Sequence, residues 1–404
     1  MNVIFIGKFF PKNMLCTIDA DSRGKVGMSN HNFEMSIING LCQHTDVQLQ
    51  CLSVPGVYSY PYNNKRIFTK AESYHHQNAM VYSVGFCNLP IVKEIWGTIA
   101  LVSRLVKVIR SSKDDRVDIV INTPDNRILN ASKIAKFLTK KRVTQTVIIP
   151  DIPSMVTAMD ANNGIKAIIL KHLNNRAMIQ TSRSDGLVLL TEAMMDFVNK
   201  PIKHIVMEGI VDVRTMGQVE EAPLSDKHII LYTGTLRRIF GVMNLVSAFQ
   251  MLKQKNIELW ICGSGDSKDD IKCAAKQDSR IKFYGLVDSQ TALKFQRKAS
   301  ILVNPRTSEG DYTRYSFPSK TMEYLLAGKS VVANRLPGIP EEYYEYIYAP
   351  KNESIESLAE CISSILDKTS LEREHRAALG RSFVIDNKNS VVQTGRILQM
   401  IKTY

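Results

Sequence analysis

Residues 316–333 read SFPSKTMEYLLAGKSVVA, a Pro-Ser-Lys turn followed by a short helical stretch and the strand-like run SVVA. Proline suits the first turn of a helix, where its missing N–H removes a donor that has no intrahelical partner anyway. With Pro318 at that place, the backbone N–H groups around Ser319, Lys320 and Thr321 point out of the helix start and are backed by its dipole. Such an end is an anion site, suited to a diphosphate. Lys320 adds a positive charge. Glu323, one turn further on, reaches hydroxyls that flank the phosphates, such as those of a ribose. Taken alone, Glu323 reads better as a first-turn acid favoured by the helix dipole. The rest of the chain has to decide between the two.

Short β-branched runs alternate with helix-length stretches on both sides of this segment. Upstream they are VIFIG (3–7), VQLQCLSV (47–54), MVYSVGF (80–86), DIVINT (118–123), QTVIIPD (145–151), GLVLLTE (186–192) and HIVMEGI (204–210). Continuous rather than alternating apolar runs mark parallel strands buried on both faces. Between the first two, SNHNFEMSIINGL puts Phe33, Ile37 and Leu41 on one helical face. A polar stretch, 214–227, reads as a linker. The rhythm then restarts with HIILYTGT (228–235), IELWICGSG (257–265), IKFYGLV (281–287), ILVNPR (301–306) and SVVANRLPG (330–338), with helices such as GVMNLVSAFQMLKQ in the gaps. The expected fold is α/β: two Rossmann-like domains, 1–213 and 228–387, with parallel sheets facing a central cleft. The amphipathic segment at about 388–404 is long enough to pack back onto the first domain.

A chain of 404 residues accommodates two such domains. Its 44% hydrophobic and 23% charged content is that of a soluble globular protein. The apolar run Val3–Gly7 is too short for a signal-peptide core. IWGTIALVS (95–103) falls well short of the roughly 20 residues that a spanning helix needs, so a cytoplasmic location is expected. The seven cysteines form no C-x-x-C pair and are odd in number, which indicates neither a disulfide framework nor a zinc site; they read as reduced core fillers. The net charge of +13 implies an acidic partner. Residues 101–142 carry eleven basic and four acidic side chains. This is either a solvated helix face or a surface for anionic lipid headgroups or a pyrophosphate-linked substrate. No nucleic-acid motif accompanies the charge, so nucleic acid is not an expected partner.

In open parallel sheets ligands bind beyond the carboxyl ends of the strands, and small or charged residues gather there in the second half. YTGTLRRIFG brings Gly234 and Thr235, then Arg237 and Arg238, a set suited to close approach and bidentate phosphate contact. CGSGD contributes Gly263 and Gly265 but has Lys268 where a dinucleotide fingerprint needs its third glycine, so a nicotinamide or flavin site is poorly supported. FYGLV contributes Gly285, Leu286 and Val287, with Asp288 placed to cap the next helix.

The run from YTGTLRR through CGSG and FYGLV to FPSKTMEYLLAGKSVVA resembles the donor half of retaining glycosyltransferases of family 4, which have the GT-B fold. The resemblance covers the second half in order and spacing, and the first half more loosely through TE (191–192) and MEGIVD (207–212). It implies that the helix-start segment (Ser319, Lys320, Thr321) binds a donor diphosphate, that Glu323 grips the ribose, that Gly234 to Arg238 form the phosphate loop, and that FYGLV holds the base. Glu323, Arg238 and Lys320 are the catalytic candidates. The family's first acid, seven residues before its second, is Tyr315 here, with Glu309 and Asp311 nearby on the loop, and its usual basic residue before the loop's second glycine is Phe240. Which group replaces that first acid stays open.

In the first half DSRGKVG (21–27) stands where the family has a glycine-rich loop near the reaction centre, offering Gly24 and Gly27. Asp151 occupies a strand exit where relatives often have histidine, and no histidine is assigned a catalytic role. The resemblance further implies front-face attack with the leaving diphosphate as base. Metal-independent transfer, with no cofactor, is therefore expected from a nucleotide-sugar donor, UDP favoured over GDP. The acceptor would be a saccharide or lipid-linked saccharide of a surface polysaccharide. An epimerase or phosphorylase of the same fold, and a non-catalytic sugar- or lipid-binding partner, remain alternatives.

Overall fold

A computed structural model of the chain describes residues 1–23, 26–155, 165–216 and 227–404. They form two compact units, one of Met1–Asp212 with Ser390–Tyr404 and one of Val213–Asn389. The sheet of unit 1 consists of β1 (Asn2–Gly7), β2 (Gln48–Ser53), β3 (Glu72–His76), β4 (Ala79–Ser83), β5 (Arg116–Asn122), β6 (Arg142–Ile149), β7 (Gly186–Leu189) and β8 (Lys203–Val206). Its order is β8-β7-β6-β5-β1-β2-β4-β3. All pairings are parallel except the β3–β4 hairpin. β1 is buried along its whole length and β5 nearly so, which is why their runs are continuously apolar.

Several expected strands end early. Residues 80–86 do not form one strand: β4 stops at Ser83, and Phe86–Cys87 leaves the sheet to pair antiparallel with Phe68–Thr69, where the Phe86 N–H donates to Thr69 Oγ1. β7 stops at Leu189 and Glu192–Phe197 is a 3-10 turn. β3, ESYHH, has no apolar run because it is an edge strand with alternating exposure.

Unit 1 has helices α1 (Met28–Leu41), α2 (Val92–Ser111), α3 (Asn126–Leu138) and α4 (Ile165–Thr181). The buried face of α1 includes Ile37, Ile38 and Leu41 but also Glu34, while Phe33 is only half-buried. α2 contains IWGTIALVS. It buries Gly97, Leu101, Leu105, Val108 and Ile109 and leaves Val92, Ile95, Trp96 and Ile99 exposed on its amino-terminal half. Among the described residues no helix is long and apolar enough to cross a membrane.

Of the stretch read as a linker, residues 217–226 lie outside the described residues. Unit 2 continues with β9 (His228–Thr233), β10 (Ile257–Cys262), β11 (Ile281–Gly285), β12 (Ile301–Asn304), β13 (Ser330–Ala333) and β14 (Ile347–Tyr348), all parallel in the order β11-β10-β9-β12-β13-β14. Its helices are α5 (Val242–Met251), α6 (Lys268–Gln277), α7 (Ser289–Lys298), α8 (Ser319–Leu326), α9 (Ile355–Leu366) and α10 (Ser370–Asn387). Ile230, Leu259, Ile261, Ile301 and Val303 from the strands pack with Leu245 and Phe249 of α5 and Ile362 and Ile365 of α9. The strand order reverses between β9 and β12, the place where a doubly wound sheet opens a crevice at its carboxyl edge.

The last helix, α11 (Ser390–Lys402), returns to unit 1. Ile397, Leu398, Met400 and Ile401 join Ile37, Leu41, Cys42 and Met207 in that core. The approach is close at Gly40, where a Cβ would stand 2.2 Å from the Ser390 carbonyl oxygen. Arg396 donates to the Val206 carbonyl (2.8 Å) and Gln393 to that of Gly209 (2.9 Å), tying α11 to the segment after β8. All seven cysteines are free; Cys42, Cys51, Cys87 and Cys262 are buried, whereas Cys16, in a turn, and Cys273, on α6, are exposed and fill no core. Ile401→Ala empties a fully buried position and is expected to cost about 3 kcal/mol of stability, read as a lower urea midpoint.

Candidate functional site

The exits of β9, β10 and β11 are stitched together by backbone hydrogen bonds. The Gly234 N–H donates to the Cys262 carbonyl (3.0 Å), that of Gly263 to Gly285 (2.7 Å) and that of Leu236 to Ser264 (3.0 Å). Gly263, at φ +143°, leaves no room for a side chain: a Cβ would lie 1.8 Å from the Gly234 carbonyl oxygen, and one at Gly265 would meet Leu236. These two glycines are therefore required by loop-on-loop packing, whatever binds above them. Over Gly285 a Cβ would meet nothing, and Leu286 beside it is exposed. Thr235 is exposed and Arg237 half-buried. The Arg238 N–H donates to Asp266 (2.8 Å), and its guanidinium rests on Asp270 of α6. That pair is largely solvent-exposed, so little free energy holds the arginine there.

α8 lies over the switch point. Pro318 is its N-cap, one place earlier than the first-turn position expected, and no side chain caps the helix. The Thr321 N–H is used in a turn to the Pro318 carbonyl (2.8 Å). The first backbone donors of the helix are therefore left to other partners. Two contacts anchor α8 to the sheet. Asn304 at the end of β12 donates to Thr321 Oγ1 (3.3 Å). The wholly buried Tyr324 hydroxyl accepts from the Thr233 N–H (2.9 Å) and donates to the Thr233 carbonyl (3.1 Å). Burial pushes this phenol well above its ordinary range, so it stays a neutral donor.

Glu323 is consequently held beside the β9 exit. Lys320 Nζ donates to both its carboxylate oxygens (2.9 and 2.8 Å), and Gln296 Nε2 of α7 donates to Oε1 (2.6 Å). Ser319 is exposed and Lys320 half-exposed. The structure thus brings Thr321, Lys320 and Glu323 together with Thr233 and Gln296. Arg238 is turned aside onto α6. Gln296, which sequence reasoning missed, stands in the run SQTALKFQRK, where no periodicity sets it apart from its half-buried neighbours. Glu309 and Asp311 are exposed on the loop before α8, and Tyr315 is half-buried.

In unit 1 the strand order reverses between β1 and β5, and charged groups gather at their exits. Lys8 Nζ pairs with Asp125 (2.7 Å), which also meets Arg127 Nη2 (3.3 Å) and caps α3 by accepting from the Arg127 and Ile128 N–H groups. Glu94 pairs with Arg127 (3.1 Å). Burial works to raise the Asp125 carboxyl, but Lys8 and Arg127 overcome it and hold it far below the usual range. Burial lowers the neighbouring Lys93 to about 8. Glu34 is fully buried, accepts from the Lys8 N–H (2.9 Å) and Asn122 (2.6 Å), and is raised by burial. Of the acceptor-side candidates, Gly24 lies outside the described residues. Gly27 is the N-cap of α1, with open space where a Cβ would be. Asp151 is exposed at its strand exit. The Lys8–Asp125–Arg127 set and Glu34 were not singled out from sequence; the readable signal was Asp125 with arginine two residues on, directly after the DIVINT strand.

Residues 227–368 match the family model described as "Glycosyl transferases group 1". No curated protein matches the chain by sequence. Solved structures match end to end. A sucrose-phosphate synthase from Thermosynechococcus elongatus aligns over 100% of both chains at 14% identity with a TM-score of 0.65. The trehalose-6-phosphate structure from E. coli bound with UDP-2-fluoro glucose aligns over 99% of both at 11% identity and 0.64. An α,α-trehalose-phosphate synthase (UDP-forming) from Burkholderia xenovorans, in complex with glucose-6-phosphate, aligns over 99% of both at 9% and 0.64. The chain has the GT-B fold, and residues 227–368 of its second unit are similar to glycosyl transferases group 1.

The Asp125 network carries a prediction for unit 1. A depressed carboxylate contributes stability above its unfolded value of 3.8 and loses it as the pH falls below that value. Asp125→Asn keeps a capping side chain but removes the carboxylate partner of Lys8 and leaves Arg127 with Glu94, and is expected to cost about 3 kcal/mol at neutral pH. The gap to the parent chain should begin to narrow as denaturation curves are taken below about pH 4, without closing by about pH 3.

Proposed function

We propose that the chain is a retaining, metal-independent hexosyltransferase that moves a sugar from a nucleotide-sugar, UDP-sugar favoured over GDP-sugar, to a glycan or lipid-linked saccharide in capsule, exopolysaccharide or lipopolysaccharide synthesis. The observation that carries the reading is the position of Glu323. It is held over the β9–β12 switch point, on a helix whose start has no side-chain cap. An uncapped helix start with Lys320 beside it suits a diphosphate, and a fixed carboxylate one turn on suits the ribose. The group 1 match over 227–368, the structural neighbour bound with UDP-2-fluoro glucose and the UDP-forming one support the same choice.

In this reading the acceptor hydroxyl attacks the anomeric carbon on the face from which the diphosphate leaves. The bond from carbon to phosphate oxygen breaks, and the hydroxyl proton passes to the departing phosphate. The Ser319 and Lys320 N–H groups, with the Lys320 ammonium, take up the charge that develops on that phosphate. Arg238 joins them by leaving Asp270, and Gly234 and Thr235 border the same phosphates. The roles of Gly285, Leu286 and Val287 at the base, and of Gly24, Gly27 and Asp151 at the acceptor, belong to this proposal. Sugar phosphate as acceptor is the second reading, favoured by the structural neighbour in complex with glucose-6-phosphate.

Turnover across a panel of UDP- and GDP-sugars tests this, with nucleotide release as readout. One donor is expected to be consumed, with turnover reduced at least about a hundredfold in Glu323→Ala and undiminished by chelator. Loss of activity to chelator with recovery on manganese overturns the metal-independent part.

A place at the inner face of the cell membrane also belongs to this reading. It is supported by the exposed Ile95, Trp96 and Ile99 of α2, with Lys107 and Arg110 exposed further along, a mixture suited to an anionic interface. Flotation with anionic vesicles is expected, and charge reversal at Arg104, Lys107 and Arg110 should abolish it.

A further inference from the structure

Gln296 stands in the last turn of α7 and is the fully buried side chain of that helix. Its Nε2 donates to Glu323 Oε1 (2.6 Å) and to Thr233 Oγ1 (3.1 Å), so both amide protons are used. Its Oε1 is buried without a partner among the described residues. The reverse orientation of the amide would set that oxygen against the carboxylate, so Glu323 itself selects the orientation. An unpartnered buried oxygen is a cost, and leucine or methionine would fill similar volume without it. Thr233 Oγ1 is in turn within 3.3 Å of the Tyr324 hydroxyl, which grips the Thr233 backbone. Glu323 is thereby connected through Gln296 to the end of β9.

We infer that Gln296 is the positioning residue of the donor site, holding Glu323 in place for the nucleotide ribose when Lys320 turns to the diphosphate. This rests on the donor reading above. Lys320 is a third exposed at its side chain and on the same short helix as Glu323, so it is free to exchange the carboxylate for phosphate. Glu323 then keeps Gln296 on Oε1 and presents Oε2 to the ribose hydroxyls. A neutral amide does this without placing a competing cation beside the phosphates, and without the adjustable reach of a lysine.

The experiment compares calorimetric binding of UDP and GDP with that of their 2′,3′-dideoxy counterparts, in the full chain and in Gln296→Met and Gln296→Glu. The parent chain is expected to prefer the ribose form of its nucleotide by about tenfold or more, as for a hydrogen bond to a charged group. In Gln296→Met that preference falls towards one while affinity for the dideoxy form stays within about twofold, and the loss in turnover is a raised donor KM with kcat little changed. Gln296→Glu brings a second carboxylate against Glu323. The ribose preference is lost at high pH and regained as the pH falls, because the protonated side chain donates as the amide does. That pH dependence decides the matter if Gln296→Met does not fold. Equal weakening of the ribose and dideoxy forms, or an unchanged ratio, overturns the inference and leaves the donor reading standing. A parent chain that binds neither UDP nor GDP overturns the donor reading and the inference with it.

Discussion

One buried hydroxyl ties the unit 2 site together. Tyr324 bonds both the N–H and the carbonyl of Thr233, fastening α8 to the end of the central strand β9. Because Tyr324 follows Glu323 directly in a helix, fixing one fixes the other, about 100° around the helix axis. The carboxylate then faces the strand exit, and the start of α8 stands over the gap between β9 and β12. A buried phenol with both roles satisfied resists displacement, since breaking either bond leaves a desolvated polar group.

The two units answer the same topology differently. Each sheet reverses its order beside its first strand, opening a crevice at the carboxyl edge. In unit 1 that edge is filled by the chain's own charges. Asp125 caps α3 and is neutralised by Lys8 and Arg127, so this helix start already holds its anion. In unit 2 the helix over the crevice begins at proline, which has no side-chain acceptor to offer. No side chain caps this start, so the positive end of its dipole has no acid of its own helix cap against it.

Charge held near the site is weakly committed. Arg238 on Asp270 and Lys320 on Glu323 are both pairs with substantial solvent exposure, and such pairs contribute little to stability. Cations of this kind can change partner at small cost, whereas Gln296 and Tyr324, fully buried, cannot. The division separates weakly held surface charges from the buried groups that fix the frame.

The sequence by itself determined the α/β class, the parallel sheets and the chain order of the buried strands, because strands buried on both faces must be continuously apolar; the edge strands Glu72–His76 and Ile347–Tyr348 carried no such run. It singled out Lys320 and Glu323 only through the family resemblance, since the proline-led helix start taken alone reads as an ordinary local pattern. Only the tertiary structure decided what holds them. Gln296 and Tyr324 reach Glu323 and Thr233 from elements 27 and 91 residues apart in sequence, distances over which no periodicity carries information. The same holds for Glu34, an acid on an apolar face whose burial depends on Asn122 and the Lys8 N–H. It holds too for Gly263 and Gly265, which read as ligand-facing until the Gly234–Leu236 loop is seen packed against them. Local patterns are written in neighbouring residues, but the burial and pairing of a polar group are set by whatever the fold brings to it.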